Sequence, residues 1–79
     1  MPARRTPLPE EVLERRRALG RRIAGLRRAA GLSQDQLADA IGMERRSIQR
    51  YENAIRDPRF SDLVRIATAL DVPLTDLVR

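Results

Sequence analysis

Apolar side chains recur along this chain at steps of three and four residues, the spacing of one helix face, and never at the strict alternation of a half-buried strand. Leu19, Ile23, Leu26 and Ala30 form the first stripe, and Val12 and Leu13 extend it backwards. Pro9 suits a first helical turn, Glu10 and Glu11 suit the positive end of the helix dipole, and Gly31 suits a C-terminal cap. The pattern predicts a helix over residues 9–30. Gly20 and Gly25 weaken it, so a start near Ala18 is the alternative. If the helix begins at Pro9, Val12 and Leu13 lie beyond the compact domain and need a partner, within the chain or in a second copy.

The second helix has a sharper signature. Ser33 followed three residues later by Gln36 is a capping box, Leu37, Ala38 and Ile41 face inward, and Gly42 ends the helix in a turn. A third helix is expected over residues 44–53. At 100° per residue from Arg45, its outward arc holds Gln49 at ~40°, Asn53 at ~80°, Arg46 at ~100° and Arg50 at ~140°. Tyr51 at ~240° and Ile48 at ~300° lie opposite, with Glu52 at ~340° on the border. Tyr51 is expected in the core with its hydroxyl at the surface. Asp57-Pro58 marks a loop over residues 54–59. A fourth helix over residues 60–70 places Phe60, Leu63, Ile66, Ala67 and Leu70 inward. Val72-Pro73 breaks it, and residues 74–78 are expected to form a fifth, short helix. The reading is all-α, five helices in one domain.

Two short helices joined at a glycine turn, the second with a cationic outer face, form a helix-turn-helix, which lays a helix in the DNA major groove. Composition agrees. The 79 residues carry a net charge of +5, and all sixteen basic residues are arginine, whose planar fork suits phosphate and guanine edges. Residues 1–31 hold nine arginines against three acids, which points to nucleic acid or, as the other candidate, an anionic membrane surface. The basic N-terminal half lacks the Trp or Phe of an interfacial helix. There is no cysteine and no histidine, so no disulfide, no thiol chemistry and no metal or cofactor site is expected, and no catalytic constellation stands out. No apolar run nears the ~20 residues that span a bilayer, and residues 1–9 lack a signal-peptide stretch, so the expected location is cytoplasmic, at the nucleoid. Residues 1–8 read as a flexible basic arm. The chain divides into an arm or helix extension over residues 1–17 and a DNA-binding domain over residues 18–79. Arg15, Arg16 and Arg17 read as a solvated face.

Three stretches carry a family resemblance: Leu26-Arg27-Arg28-Ala29-Ala30-Gly31-Leu32-Ser33-Gln34, then Leu37-Ala38-Asp39-Ala40-Ile41-Gly42, then Ser47-Ile48-Gln49-Arg50-Tyr51-Glu52-Asn53. With the tail from Pro58 to Leu77, residues 19–78 resemble the Cro/repressor type of helix-turn-helix domain, also called the xenobiotic-response-element family. The resemblance implies a lambda-repressor-like fold and a sequence-specific, repressor-like transcriptional regulator of prokaryotic or phage type, acting as a homodimer on double-stranded DNA. It implies that Gln34 meets a DNA phosphate, and that Arg45, Arg46 and Arg50 reach base edges. Asn53 and Arg59 would lie near the sugar-phosphate backbone or the minor groove, and Arg27 and Glu52 would form a buried ion pair. Gln49 has the chemistry to read adenine. The other reading is a protein-interaction adaptor or antitoxin of the same fold, which an exposed Val12-Leu13 patch would favour.

The sequence departs from that family at three places. Ala54 stands where glycine is usual, which implies strain if the site needs a positive φ. Glu44 replaces a small hydroxyl cap and caps poorly. Asp71 replaces another common glycine, though aspartate tolerates the left-handed region.

Overall fold

The computed structural model describes residues 7–79, so the greater part of the basic arm lies outside the described residues. Four α-helices follow one another: α1 (Glu10–Ala29), α2 (Gln34–Ala40), α3 (Arg45–Glu52) and α4 (Phe60–Leu70). A single 3-10 turn (Leu74–Asp76) stands where a fifth helix was expected. Pro73 opens that turn, and Leu77 is already fully buried after it, so the chain has room for one tight turn before it must enter the core.

All four helices close in the same way. In each, a residue with positive φ follows the last turn, and its N–H and that of the next residue reach back to carbonyls of the final turn. Gly31 and Leu32 bond Arg28 and Arg27, and Gly42 and Met43 bond Asp39 and Ala38. Ala54 and Ile55 bond Tyr51 and Arg50, and Asp71 and Val72 bond Thr68 and Ala67. The left-handed residues are Gly31 (φ 74°), Gly42 (φ 68°), Ala54 (φ 58°) and Asp71 (φ 55°). Only at Ala54 does a side chain with no compensating polar group adopt this backbone.

Helix starts are less uniform. Ser33 forms the full capping box: its hydroxyl accepts from Gln36 N at 3.1 Å, and Gln36 Oε1 accepts from Ser33 N at 2.8 Å. Glu44, Arg59 and Pro9 stand at the other three N-caps without a side-chain bond.

The core draws one fully buried residue from each α-helix, Ile23, Leu37, Ile48 and Ile66, and a fifth, Leu77, from just after the 3-10 turn. α3 packs chiefly on α1 and α2. Gly20 lets α1 approach the end of α3, since a Cβ there would lie 2.5 Å from the carbonyl oxygen of Glu52 and 2.7 Å from that of Tyr51. α1 runs unbroken through the boundary drawn between residues 17 and 18. Two of its arginines fasten it to the other end of the chain: Arg15 donates to the Arg79 carbonyl at 3.4 Å and Arg22 to that of Leu77 at 3.3 Å. Arg16 lies 3.7 Å from Asp57, and Arg17 pairs with Glu10 and Glu14 on the outer surface. Val12 shares a depression of about 280 Å³ with Leu19, Leu77 and Val78 yet stays exposed, while Leu13 is half-buried.

Phe60 corrects the expected inward set of α4. It is 69% exposed, whereas Leu63, Ile66, Ala67 and Leu70 are buried. Helical side chains lean toward the helix N-terminus, so a residue in the first position projects past the end of the core rather than into it. Asp62, one turn before Ile66, takes an inner place instead and is buried.

Candidate nucleic-acid interface

α3 divides into two faces. Ile48 and Tyr51 are buried, while Arg45, Arg46, Gln49 and Asn53 are exposed and Arg50 is half-buried. The exposed arc lies between two depressions. One, of about 380 Å³, is lined by Arg27, Ser33, Gln34, Asp35 and Arg45, and so brings the start of α2 to the start of α3. The other, of about 500 Å³, runs from Met43, Ser47 and Tyr51 to Arg56, Asp57, Arg59, Asp62 and Arg65. Six arginines, Arg45, Arg46, Arg50, Arg56, Arg59 and Arg65, thus stand on α3 or line the depression beside it. Among the described residues none of the six forms an ion pair. Arg56 and Arg65 had no place in the sequence reading. They lie outside α3, and only the fold carries them to its side.

Beneath this surface, Arg27 ties three segments together. Its Nε and Nη2 donate to Glu52 Oε2 and Oε1 at 2.7 and 3.0 Å, and its Nη1 donates to the Leu32 carbonyl at 2.8 Å. Both side chains are nearly enclosed, at 10% and 5% exposure. The bond to Glu52 holds the Arg27 guanidinium above its already high ordinary range, against the pull of burial. Gln34 Nε2 also donates to Glu52 Oε1, at 3.1 Å. The Gln34 amide that the resemblance aims at a phosphate is therefore turned partly inward, with the second Nε2 hydrogen left to donate outward.

A second buried contact corrects the reading of Tyr51. Its hydroxyl is not at the surface: it donates to Asp62 Oδ2 at 3.0 Å within the core. Burial pushes the phenol above its ordinary range, and the hydrogen bond to Asp62 and that carboxylate's charge push the same way. The sequence signal for this contact is an acid at an inner position of an apolar helix, which requires a donor opposite it.

Among the described residues there is no cluster of metal-ligating side chains, and no helix is long and apolar enough to cross a membrane. What the arrangement offers is a cationic helix face, rigidly backed and walled by further arginines, which suits a polyanion with a readable groove.

Comparison with known proteins points the same way. The sequence pattern of the helix-turn-helix domain family matches residues 18–79. The chain is 45% identical over 53 residues to an uncharacterized HTH-type transcriptional regulator of Rickettsia conorii, covering 67% of this chain and 42% of the relative. It is 38% identical over 56 residues to the cryptic phage CTXphi transcriptional repressor RstR of Vibrio cholerae, covering 71% of this chain and 50% of that protein. The chain thus spans about half the length or less of these two relatives. Among solved structures, the restriction-modification controller protein C.AhdI of Aeromonas hydrophila superposes with a TM-score of 0.75 at 34% identity, over 77% of this chain and 92% of that one. The match over residues 18–79, on a fold with a capping box at Ser33, a glycine turn at Gly42 and an arginine-lined face on α3, shows that this chain belongs to the helix-turn-helix domain family.

Proposed function

We propose that the chain is a sequence-specific, repressor-like transcriptional regulator that lays α3 in the major groove of double-stranded DNA and acts as a homodimer in the cytoplasm, at the nucleoid. The observation that carries this reading is the exposed arc of α3, with its unpaired arginines and the further arginines along its flank. Arg45 and Arg46, in the first turn of α3, read guanine edges, each bidentate contact being worth about 1–3 kcal/mol of discrimination. Arg50 reaches a neighbouring base and Gln49 is placed for adenine. Gln34, Asn53 and Arg59 hold the backbone, with Arg59 at the minor groove. Two copies address half-sites about 34 Å apart. Its role is binding rather than catalysis.

Selection of bound duplexes from a random pool at about 150 mM salt tests this, because that salt suppresses binding that rests on phosphate charge alone. An enriched palindrome with G·C pairs facing Arg45 and Arg46 supports the reading, and binding without a motif that disappears as salt rises removes it. Exposed Val12 at the α1 end favours a second reading, an adaptor or antitoxin whose main partner is a protein. Arg45→Ala with Arg46→Ala separates the two, abolishing DNA binding while sparing an adaptor contact.

A further inference from the structure

Glu44 is the residue on which α3 begins, and it stands where the family carries a small hydroxyl cap. Its backbone is extended, at φ −82° and ψ 148°, and its side chain makes no capping bond. The group that such a bond would serve, the Ser47 N–H, is already held by the Glu44 carbonyl at 3.0 Å. The carboxylate is exposed. Among the described residues it forms no ion pair, although Arg45 and Arg46 follow it directly. The other acid between Met43 and Asn53, Glu52, is enclosed with Arg27. Helical side chains lean toward the N-terminus of their helix, so the heads of Arg45 and Arg46 lean toward the end that Glu44 occupies. The tip of α3 thus presents two cations and one anion.

We infer that Glu44 is a specificity-determining residue, which accepts a hydrogen bond from the N4 amino group of a cytosine beside the guanines that Arg45 and Arg46 read. The inference deepens the regulator reading and rests on its placement of α3 in the major groove. There the N-terminal residues of the inserted helix meet base edges. A carboxylate offers only acceptors. Entering the groove strips its water, and it then needs a donor or costs binding energy. The phosphates on either wall provide none. Base edges provide two, the amino groups of cytosine and adenine. Guanine presents O6 and N7, and thymine presents O4, acceptors that repel the carboxylate. Adenine sets its N7 acceptor beside the N6 amino group, whereas cytosine has no acceptor next to N4 in the groove, so cytosine is the better partner. The arginines impose the opposite demand, for acceptors. A mixed tip therefore sorts both classes of base. A wrong base at Glu44 meets repulsion as well as a lost bond.

Selection from random duplexes at about 150 mM salt, run in parallel on the parent chain and on Glu44→Ala, tests the assignment. Because the Glu44 side chain bonds nothing within the fold, Glu44→Ala should keep the helical circular dichroism of the parent. One position per half-site of the parent motif is expected to be cytosine. In the Glu44→Ala motif that position alone should become degenerate, with the guanines retained. Glu44→Gln, which keeps the shape and adds a donor, should admit guanine and thymine at the same position. Titration then reads the coupling: exchanging that C·G pair for G·C in both half-sites should weaken the parent at least about tenfold and Glu44→Ala about twofold or less. Identical motifs from parent and variants would overturn the inference and leave the regulator reading standing. So would equal tightening of Glu44→Ala on both duplexes, the mark of plain repulsion from phosphates. Loss of the guanines instead, the mark of an acid that only orients Arg45 and Arg46, would overturn it too, as would a sensitive position that holds any base but cytosine. A parent that yields no motif at all removes the regulator reading, and the inference with it.

Discussion

Gly20 and Glu52 touch backbone to backbone, and that contact sets how closely α1 can lie against the end of α3. A Cβ at position 20 would meet the Glu52 carbonyl oxygen at 2.5 Å, and no flexible side chain is there to yield. Gly20→Ala gains about 1 kcal/mol of helix propensity but must displace α3, and overpacking of this kind costs about 1–3 kcal/mol. The expected net result is a lower melting temperature together with weakened DNA binding. Gly25 is the control, since nothing lies within 4 Å of its missing Cβ. Gly25→Ala is expected to raise stability by about 0.5–1 kcal/mol. Thermal unfolding of the two variants should therefore move in opposite directions.

Glu52 compensates Arg27 and also orients Gln34. Glu52→Ala leaves a buried guanidinium with only the Leu32 carbonyl, an expected loss of about 3–5 kcal/mol in urea unfolding. Glu52→Gln keeps an acceptor for Arg27 and for Gln34, and should lose less. Equal losses from the two variants would show that the charge of Glu52 carries the effect and that a neutral acceptor contributes nothing.

Ala54 closes α3 at a φ of 58°. Left-handed backbone costs a side-chain-bearing residue about 1–2 kcal/mol, which glycine avoids at some cost in unfolded-state entropy. Ala54→Gly is expected to stabilise the fold by about 0.5–1 kcal/mol, raising the melting temperature by several degrees in a domain of this size. No rise on calorimetric scanning would mean that the loop beyond α3 relieves the strain by another path.

Tyr51 gives the fold an alkaline limit. Its phenol titrates above the ordinary value when folded, so the protonated form is the one the fold stabilises. The contribution is complete below the ordinary phenol range, near pH 10, and is lost as pH rises from there through the folded value. Stability from this group is thus flat through neutral pH and falls in strong alkali. Tyr51→Phe should remove that fall while costing about 1–3 kcal/mol at neutral pH, because Asp62 loses its donor. Urea midpoints at pH 7 and above pH 10 compare the two.

Most of the architecture was legible because helix ends advertise themselves. Ser33 with Gln36, Gly31 and Gly42 are local signals, and even the misfit of Ala54 could be read as a demand for positive φ. What escaped was non-local or positional. Phe60 fits the periodicity of α4, but periodicity does not tell where the core ends. The Tyr51–Asp62 bond joins residues eleven positions apart on successive helices, and the clearance that Gly20 provides depends on where α3 passes. At the interface, the α3 arginines could be read from their own helix. Arg56 and Arg65 could not, since no pattern within a single helix places them beside it.

The way α3 is held has a thermodynamic corollary. Its body is anchored by Ile48 and Tyr51, its last carboxylate is gripped by Arg27, and its C-terminal carbonyls are already satisfied by Ala54 and Ile55. Little of α3 is left to order on docking in the groove of a duplex as proposed. The heat-capacity change of association should then reflect contact surface alone, without the large negative excess of a segment that folds as it binds.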